Sequence, residues 1–288
     1  MLANIIENTE ISRGYFRLIL HSAGLAENTK PGQFVMVKVG KNYDPLLRRP
    51  MGLYKISSKD NNPCVELLYQ VVGKGTTIMS KMKKGQQADM LGPFGNGFTI
   101  PQSGRATAQL PDKNFAEKTQ FYKLAVRNIK AAVFVAGGIG IAPLVMLAEK
   151  MVKEIPNLKT YLFIGGKSKN DILCIDDFGK LNTEICITTE DGSLENKGLV
   201  TDPVKKFIDK KADSQTLFFA CGPYRMLKAV SELTAKKDIP CQVSLDRRMA
   251  CGFGVCLGCV IKVNSENGSH YKNVCTDGPV FDAKEICW

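Results

Sequence analysis

Hydrophobic and polar positions change rhythm twice along this chain. Up to Ile100, short apolar runs (Phe16–Leu20, Gln33–Val37, Val65–Tyr69) are separated by Gly, Pro and Asn. Runs of this length with little helical periodicity predict a small antiparallel β-barrel over residues 1–101. From Lys130 strand-like and helix-like patterns alternate. Ala131–Ala136 reads as a buried strand, and Leu144, Leu147, Met151, Val152 and Ile155 then recur at helical spacing. Tyr161–Ile164, Ile185–Thr188 and Thr216–Ala220 read as strands, and Val204–Ile208 and Met226–Ala235 as helices. Such alternation predicts a doubly wound parallel sheet, an α/β domain spanning 130–240. The polar, mixed stretch 102–129 reads as a connector. After Pro240 the pattern becomes irregular and rich in cysteine, which predicts a small module over 241–288.

Composition sharpens this picture at a few points. A chain of 288 residues suits two large domains and an appendage, and 44% hydrophobic with 23% charged residues is ordinary for a folded protein. The formal net charge of +11 comes from 39 Lys and Arg against 28 Asp and Glu. The lysines stand singly or in pairs such as Lys83-Lys84 and Lys210-Lys211, without a basic run or nucleic-acid module, so solvated faces are expected and nucleic-acid binding is not. Ala131 to Ala148 is uncharged and reaches the length of a membrane span, but Gly137, Gly138, Gly140 and Pro143 interrupt it. A strand, a tight turn and a helix account for it better. The N-terminal residues lack a basic segment followed by an apolar one, so the expected location is cytoplasmic. Ten cysteines in that setting point to metal or redox chemistry rather than disulfides.

Cys251-Gly252-Phe253-Gly254-Val255-Cys256-Leu257-Gly258-Cys259, followed by Cys275, has the C-x4-C-x2-C spacing of plant-type [2Fe–2S] ligands with a later fourth cysteine. Thiolates must converge on two irons, so the loop has to wrap around the cluster. The glycines permit tight turns and bring N–H groups to the sulfurs. The competing reading is a four-cysteine zinc site, but such sites usually pair two short hooks, whereas Cys275 stands alone. The other six cysteines, at 64, 174, 186, 221, 241 and 287, read mostly as buried small hydrophobes.

Gly137-Gly138-Ile139-Gly140-Ile141-Ala142-Pro143 sits at a strand-to-helix junction, where glycines let the backbone approach a pyrophosphate and the helix N-terminus favours its charge. Pro143 suits the first helical turn. In the barrel half come Arg48-Arg49-Pro50-Met51-Gly52, Leu68-Tyr69-Gln70, Gly73-Lys74-Gly75-Thr76 and Gly92-Pro93-Phe94-Gly95-Asn96-Gly97-Phe98. Each is common alone. In this order on a β-barrel they resemble the FAD domain of the ferredoxin–NADP reductase superfamily, with Thr189–Ser193, Gly198 and Cys221-Gly222-Pro223 following in the order that superfamily uses. The resemblance implies that Arg49 makes paired charge-assisted hydrogen bonds to the flavin diphosphate, that Gly75 and Thr76 add donors, and that Cys221 lies next to the nicotinamide.

Taken with the cysteine module, and especially Ser244–Cys256 and Asp277–Phe281, these motifs span almost the whole chain and resemble the electron-transfer subunits of the dihydroorotate dehydrogenase B family. That resemblance implies FAD, a [2Fe–2S] cluster on Cys251, Cys256, Cys259 and Cys275, and NAD. It further implies a separate FMN-containing catalytic partner, two copies of each chain, and electron transfer from dihydroorotate to NAD+ in pyrimidine biosynthesis. Gly52 departs from the pattern, since relatives commonly have Ser or Thr there, and so does the long connector. The loop Gly165-Gly166-Lys167-Ser168-Lys169 could in turn hold the 2′-phosphate of NADP. Two other readings stay open: a flavin and iron–sulfur subunit of a hydrogenase or ferredoxin–NAD(P) oxidoreductase, and a non-catalytic zinc-stabilised binding protein.

Overall fold

Strands β1 (Leu2–Ser12), β2 (Tyr15–His21), β3 (Phe34–Lys38), β4 (Arg49–Lys59), β5 (Asn62–Gln70) and β6 (Gln87–Phe94) close into an antiparallel barrel in the order β1-β2-β5-β4-β3-β6. This is a computed structural model that describes residues 1–40, 43–101, 129–265 and 268–288; the connector expected at 102–129 lies outside them except for Ile129. Alternation explains the barrel core. In β5 Val65, Leu67 and Tyr69 point inward with Leu18, Leu20, Val35, Val37 and Leu53, while Leu68 faces the other way into a second core. Two short helices, α1 (Ala23–Asn28) and α2 (Lys74–Ser80), complete this half.

The second half is a seven-stranded sheet with neighbours in the order β10-β9-β8-β7-β11-β12-β15. Its parallel strands are β7 (Ala131–Gly137), β8 (Lys159–Gly166), β9 (Glu184–Thr189), β10 (Asn196–Lys197), β11 (Thr216–Cys221) and β12 (Cys241–Ser244). β15 (Val280–Asp282) adds an antiparallel edge. Helices α3 (Ala142–Glu154), α4 (Ile175–Gly179), α5 (Thr201–Lys210) and α6 (Tyr224–Ala235) lie between the parallel strands. The uncharged window 131–148 resolves into β7, a 3₁₀ turn (Gly138–Ile141) and the start of α3. Among the described residues no helix is long and apolar enough to cross a membrane.

The central strands are apolar on both faces, as a covered parallel sheet requires. Ala132, Phe134 and Ala136 of β7, with Leu217 and Phe219 of β11, pack into one core with α3 and with Tyr15, Tyr54, Leu68 and Phe98 of the barrel. Val133, Val135, Phe218 and Ala220 face a second core, shared with α5, α6, Cys259, Cys275 and the barrel residues Phe34 and Met36. The sheet runs through the boundary expected at 240. Four-residue β12 pairs with β11, and three-residue β15 pairs with β12. Both segments are too short to announce themselves by periodicity, and neighbouring strands decide their place. Between them the chain makes an excursion containing the cysteine loop and the hairpin β13 (Val260–Ser265)–β14 (Gly268–Asn273).

Phe219 joins the halves: its ring stacks on Phe134 at 5.7 Å and meets the edge of Phe98 at 5.8 Å. Phe219→Ala is expected to cost about 3–5 kcal/mol through the cavity it opens, lowering Tm by about 6–20 °C. Thermal denaturation checks this, and a drop of a degree or two would mean the ring packing contributes little.

Candidate functional site

The four cysteines come together where the excursion folds back. Cys251 is half-buried and Cys256 exposed, while Cys259 and Cys275 are buried. Backbone N–H groups are aimed at their sulfurs. Gly254 donates to Cys275 Sγ at 3.2 Å, and Cys256, Gly258 and Cys275 donate to Sγ of Cys251, Cys256 and Cys259 at 3.4 Å each. Gly252 and Gly254 adopt φ of +85° and +87°, the left-handed region that a side chain would strain. Burial pushes the Cys251 thiol up, but N–H groups of Phe253, Cys256 and Val255 outweigh it and bring it down to about 6. Cys275 is pushed up to about 12, by burial first and then by Cys259 beside it. Sulfurs surrounded by N–H donors suit thiolates sharing charge with a metal cluster, so this donor set fits an iron–sulfur group. Among the described residues no three His, Cys, Asp or Glu side chains close on one ion-sized position. A two-iron cluster divides its ligands between the irons and does not require one.

This loop rests on the barrel. A Cβ added to Gly252 would come within 2.6 Å of Met36 Cγ on β3. In the ladder Met36 faces Pro50, and Phe34 faces Gly52, on β4. The cysteine loop is therefore one strand away from the Arg-Pro segment.

Adjacent arginines at the start of β4 do different work. Arg48 is tied to the Asp89 carboxylate at 2.8 Å and to its carbonyl oxygen at 2.9 Å. Arg49 has no carboxylate partner among the described residues. Its guanidinium donates to the Leu47 carbonyl and lies over Gly75, where an added Cβ would meet Nε at 2.5 Å. Gly75 thus leaves room for the guanidinium at the start of α2, a geometry that fits a bound diphosphate. The Thr76 hydroxyl is already engaged, accepting from the N–H groups of Val72 and Gly73 at 2.9 and 3.3 Å. Pro50 and Met51 are ladder residues, and a Cβ on Gly52 would meet open space. Tyr69 stacks on Phe16 and donates to Asn8 Oδ1 at 2.9 Å, so its side chain belongs to the barrel core; Leu68 is buried and Gln70 half-buried.

The nucleotide loops meet at the topological switch point, between β7 and β11, where doubly wound sheets leave a crevice beyond their carboxyl ends. Backbone packs on backbone there. A Cβ on Gly140 would lie 2.3 Å from the Cys221 carbonyl oxygen, and one on Gly137 would lie 2.5 Å from Pro223 Cδ. Gly138 and Gly222 have φ of +52° and +157°. Pro143 occupies the first turn of α3. Cys221 closes β11 beside Ser244, and burial pushes its thiol up to about 12, so it remains neutral. Of the cysteines expected to be packing residues, Cys64 and Cys241 are buried while Cys174, Cys186 and Cys287 are half-buried.

Sequence reasoning missed the polar joint between barrel and sheet. Lys55 of β4 binds Asp177 at 2.6 Å and Glu149 at 3.1 Å, Tyr54 donates to Asp177, and Tyr15 donates to Asp171 at 2.6 Å. These partners lie far apart in sequence and carry no motif. The same contacts bear on the loop after β8: Asp171 also accepts from the Ser168 N–H at 2.9 Å, and the Ser168 hydroxyl accepts from Asn170. That serine is engaged locally, beside a carboxylate.

Comparisons with known proteins agree with this arrangement of parts. Residues 246–287 match the model of the iron–sulfur cluster binding domain of dihydroorotate dehydrogenase B, and residues 134–232 match the oxidoreductase NAD-binding domain. A solved NADH-dependent reduced ferredoxin–NADP oxidoreductase covers 100% of this chain and 90% of its own at 25% identity, with a TM-score of 0.79. A ferredoxin NADP+ reductase from Neisseria gonorrhoeae with bound FAD and NADP shares the fold, at 15% identity over 82% of this chain and 91% of its own, with a TM-score of 0.60. Curated relatives that bear the name dihydroorotate dehydrogenase B (NAD(+)), electron transfer subunit, include two that match over most of their length. The one from Caldanaerobacter subterraneus is 35% identical over 99% of this chain and 98% of its own length. The one from Desulforamulus reducens is 38% identical over 92% of this chain and 89% of its own. With identity of 35% and 38% over 99% and 92% of its length, the chain belongs to the family of dihydroorotate dehydrogenase B (NAD(+)) electron transfer subunits.

Proposed function

We propose that this protein links the oxidation of dihydroorotate on an FMN-containing catalytic partner to the reduction of NAD+ in pyrimidine biosynthesis, in an assembly with two copies of each chain. The observation that supports it most directly is the seating of the cysteine loop on β3, beside the Arg-Pro strand β4. That contact sets the candidate cluster loop against the barrel that carries the candidate flavin segment. FAD would supply the junction between single-electron exchange with the cluster and hydride exchange with the nicotinamide.

The chain's own residues bind and orient. Cys251, Cys256, Cys259 and Cys275 hold the [2Fe–2S] cluster, and the N–H donors around them temper the charge on their sulfurs. Arg49 clamps the FAD diphosphate, assisted by the backbone of Gly75, while Thr76 shapes that turn through its hydroxyl. Pro50, Met51 and Gly52 carry the strand beside the flavin ring. Tyr69 supports β5 from the core, leaving Leu68 and Gln70 to contribute on the side toward the sheet. Gly137, Gly138, Gly140, Pro143, Gly222 and Pro223 form the nicotinamide nucleotide cradle, and Cys221 shapes its floor as a neutral thiol. The Asp171 carboxylate next to Ser168 disfavours a 2′-phosphate, which supports NAD over NADP. The ferredoxin–NADP oxidoreductase likeness is the observation in favour of a rival reading, and a clear preference for NADPH over NADH in kcat/KM would shift the choice to it.

Anaerobically purified protein should contain about two irons and two acid-labile sulfides per chain. Changing any of Cys251, Cys256, Cys259 or Cys275 to Ser should remove them, whereas Cys64→Ser should not; stoichiometric zinc without sulfide would sink the assignment. Arg49→Ala removes a charge-assisted contact of about 1.5–3 kcal/mol, so FAD affinity should fall by roughly one to two orders of magnitude. Flavin titration of the apoprotein reads this, and unchanged affinity would rule Arg49 out as a diphosphate ligand. Mixed with its partner, the wild-type chain should support dihydroorotate-dependent NAD+ reduction, and Cys256→Ser should lose it while keeping NADH oxidation by an artificial acceptor. Full coupled turnover by the cluster-free variant would refute the proposed path.

A further inference from the structure

The segment Gly92–Phe98 belongs to the barrel half, where its first three residues end β6, and it also reaches the cysteine module. It leaves β6 and lies against the residues that follow Cys275. Asn96 Nδ2 donates to the carbonyl oxygens of Thr276 at 3.2 Å and Asp277 at 3.0 Å, and its backbone N–H donates to Gly278 at 2.5 Å. Gly95 (φ +78°) makes the close approach possible, since a Cβ there would meet the Gly278 oxygen at 2.6 Å. The Gln33 amide fixes the Gly95 carbonyl from the barrel side at 2.8 Å, and the Phe98 N–H is bound to Pro31 at 2.8 Å. The anchor is thus held at both ends by the barrel. On the cluster side, a Cβ on Gly254 would touch Thr276, and the Cys275 sulfur accepts from Gly254 while its N–H donates to Cys259.

From this geometry we infer that Asn96 is a positioning residue for the fourth cluster ligand, setting the place of Cys275 relative to the flavin-side barrel and so the ease of electron exchange between the two cofactors. The inference rests on the cluster and flavin assignments above. Asn96 is exposed, so its side chain contributes these two hydrogen bonds rather than packing, and replacing it spares the core. Thiolate hydrogen bonding tunes cluster potential, and a shift of the ligand changes both potential and distance.

The test compares wild type, Asn96→Ala and Asn96→Asp, the last keeping the size of the side chain and removing its donors. Amide hydrogen exchange over 275–278 should accelerate about tenfold in both variants, as expected when carbonyl anchors of an exposed segment are lost. After rapid mixing with NADH, the ratio of cluster reduction rate to flavin reduction rate should fall about fivefold or more, with a shifted cluster reduction potential. Unchanged exchange in either variant overturns the anchor. Faster exchange with an unchanged rate ratio and potential overturns the positioning role. Wild-type protein that holds no iron or sulfide would instead fail the assignment of the cluster itself, and hydrogen exchange would still decide whether Asn96 holds the segment.

Discussion

A sheet whose two central strands are apolar on both faces sets the constraint under which the remaining parts are arranged. Side chains alternate along β7 and β11, so successive residues enter opposite cores. Neither face can be left to water. One is covered by α3 and the barrel residues Tyr15, Tyr54, Leu68 and Phe98; the other by α5, α6 and the cysteine module, with Phe34 and Met36 reaching around from the barrel. Covering the sheet therefore brings the barrel to one side and the cysteine loop to the other, while the glycine loops at the carboxyl ends of β7 and β11 pack against each other. The candidate sites follow from that requirement to bury apolar surface, which is the dominant favourable term in folding.

Against this background the polar joint has a different task from the apolar cores. Burial of Phe134 or Phe219 is non-directional, whereas the contacts of Lys55 with Asp177 and Glu149 fix rotation of the barrel against α3 and α4. Charge-assisted bonds that are partly shielded from water have the strength and the geometry for this. The pair Arg48 and Arg49 shows the same division within two residues: one is consumed by Asp89, and its neighbour is left with its guanidinium over a glycine.

Legibility in the sequence followed the range of the interactions. The cysteine spacing was readable because three of the four ligands lie within nine positions of one another, and wrapping a cluster is a local demand. The barrel and the alternating half were readable because strand and helix periods persist over many residues. The uncharged window 131–148 is legible as strand, turn and helix because Gly137, Gly138 and Gly140 favour a turn within it. What escaped was non-local. Strand β12 joins the sheet because β11 offers an edge, and β15 because β12 then offers the next, so nothing within residues 241–244 or 280–282 announces membership. Tyr69 stood in a motif that suggested a ligand contact, but strand parity turns its ring into the core. The Tyr15–Asp171 contact joins residues 156 positions apart, and Asn96 reaches about 180 positions forward to Thr276. No pattern in a single sequence announces such partners.

One consequence follows from the way the cysteine module is inserted. The chain leaves the sheet at the end of β12 and returns at β15, the strand directly beside it, with Leu245 and Pro279 joined by a backbone hydrogen bond of 2.9 Å. The neck of the excursion is closed by the sheet itself and not by the cysteines. Closing a loop costs entropy that grows only slowly with its length, and here the closure is already made. A neck of this kind is a grafting point: the excursion can lengthen, shorten or be exchanged in the course of descent while both flanking strands keep their partners.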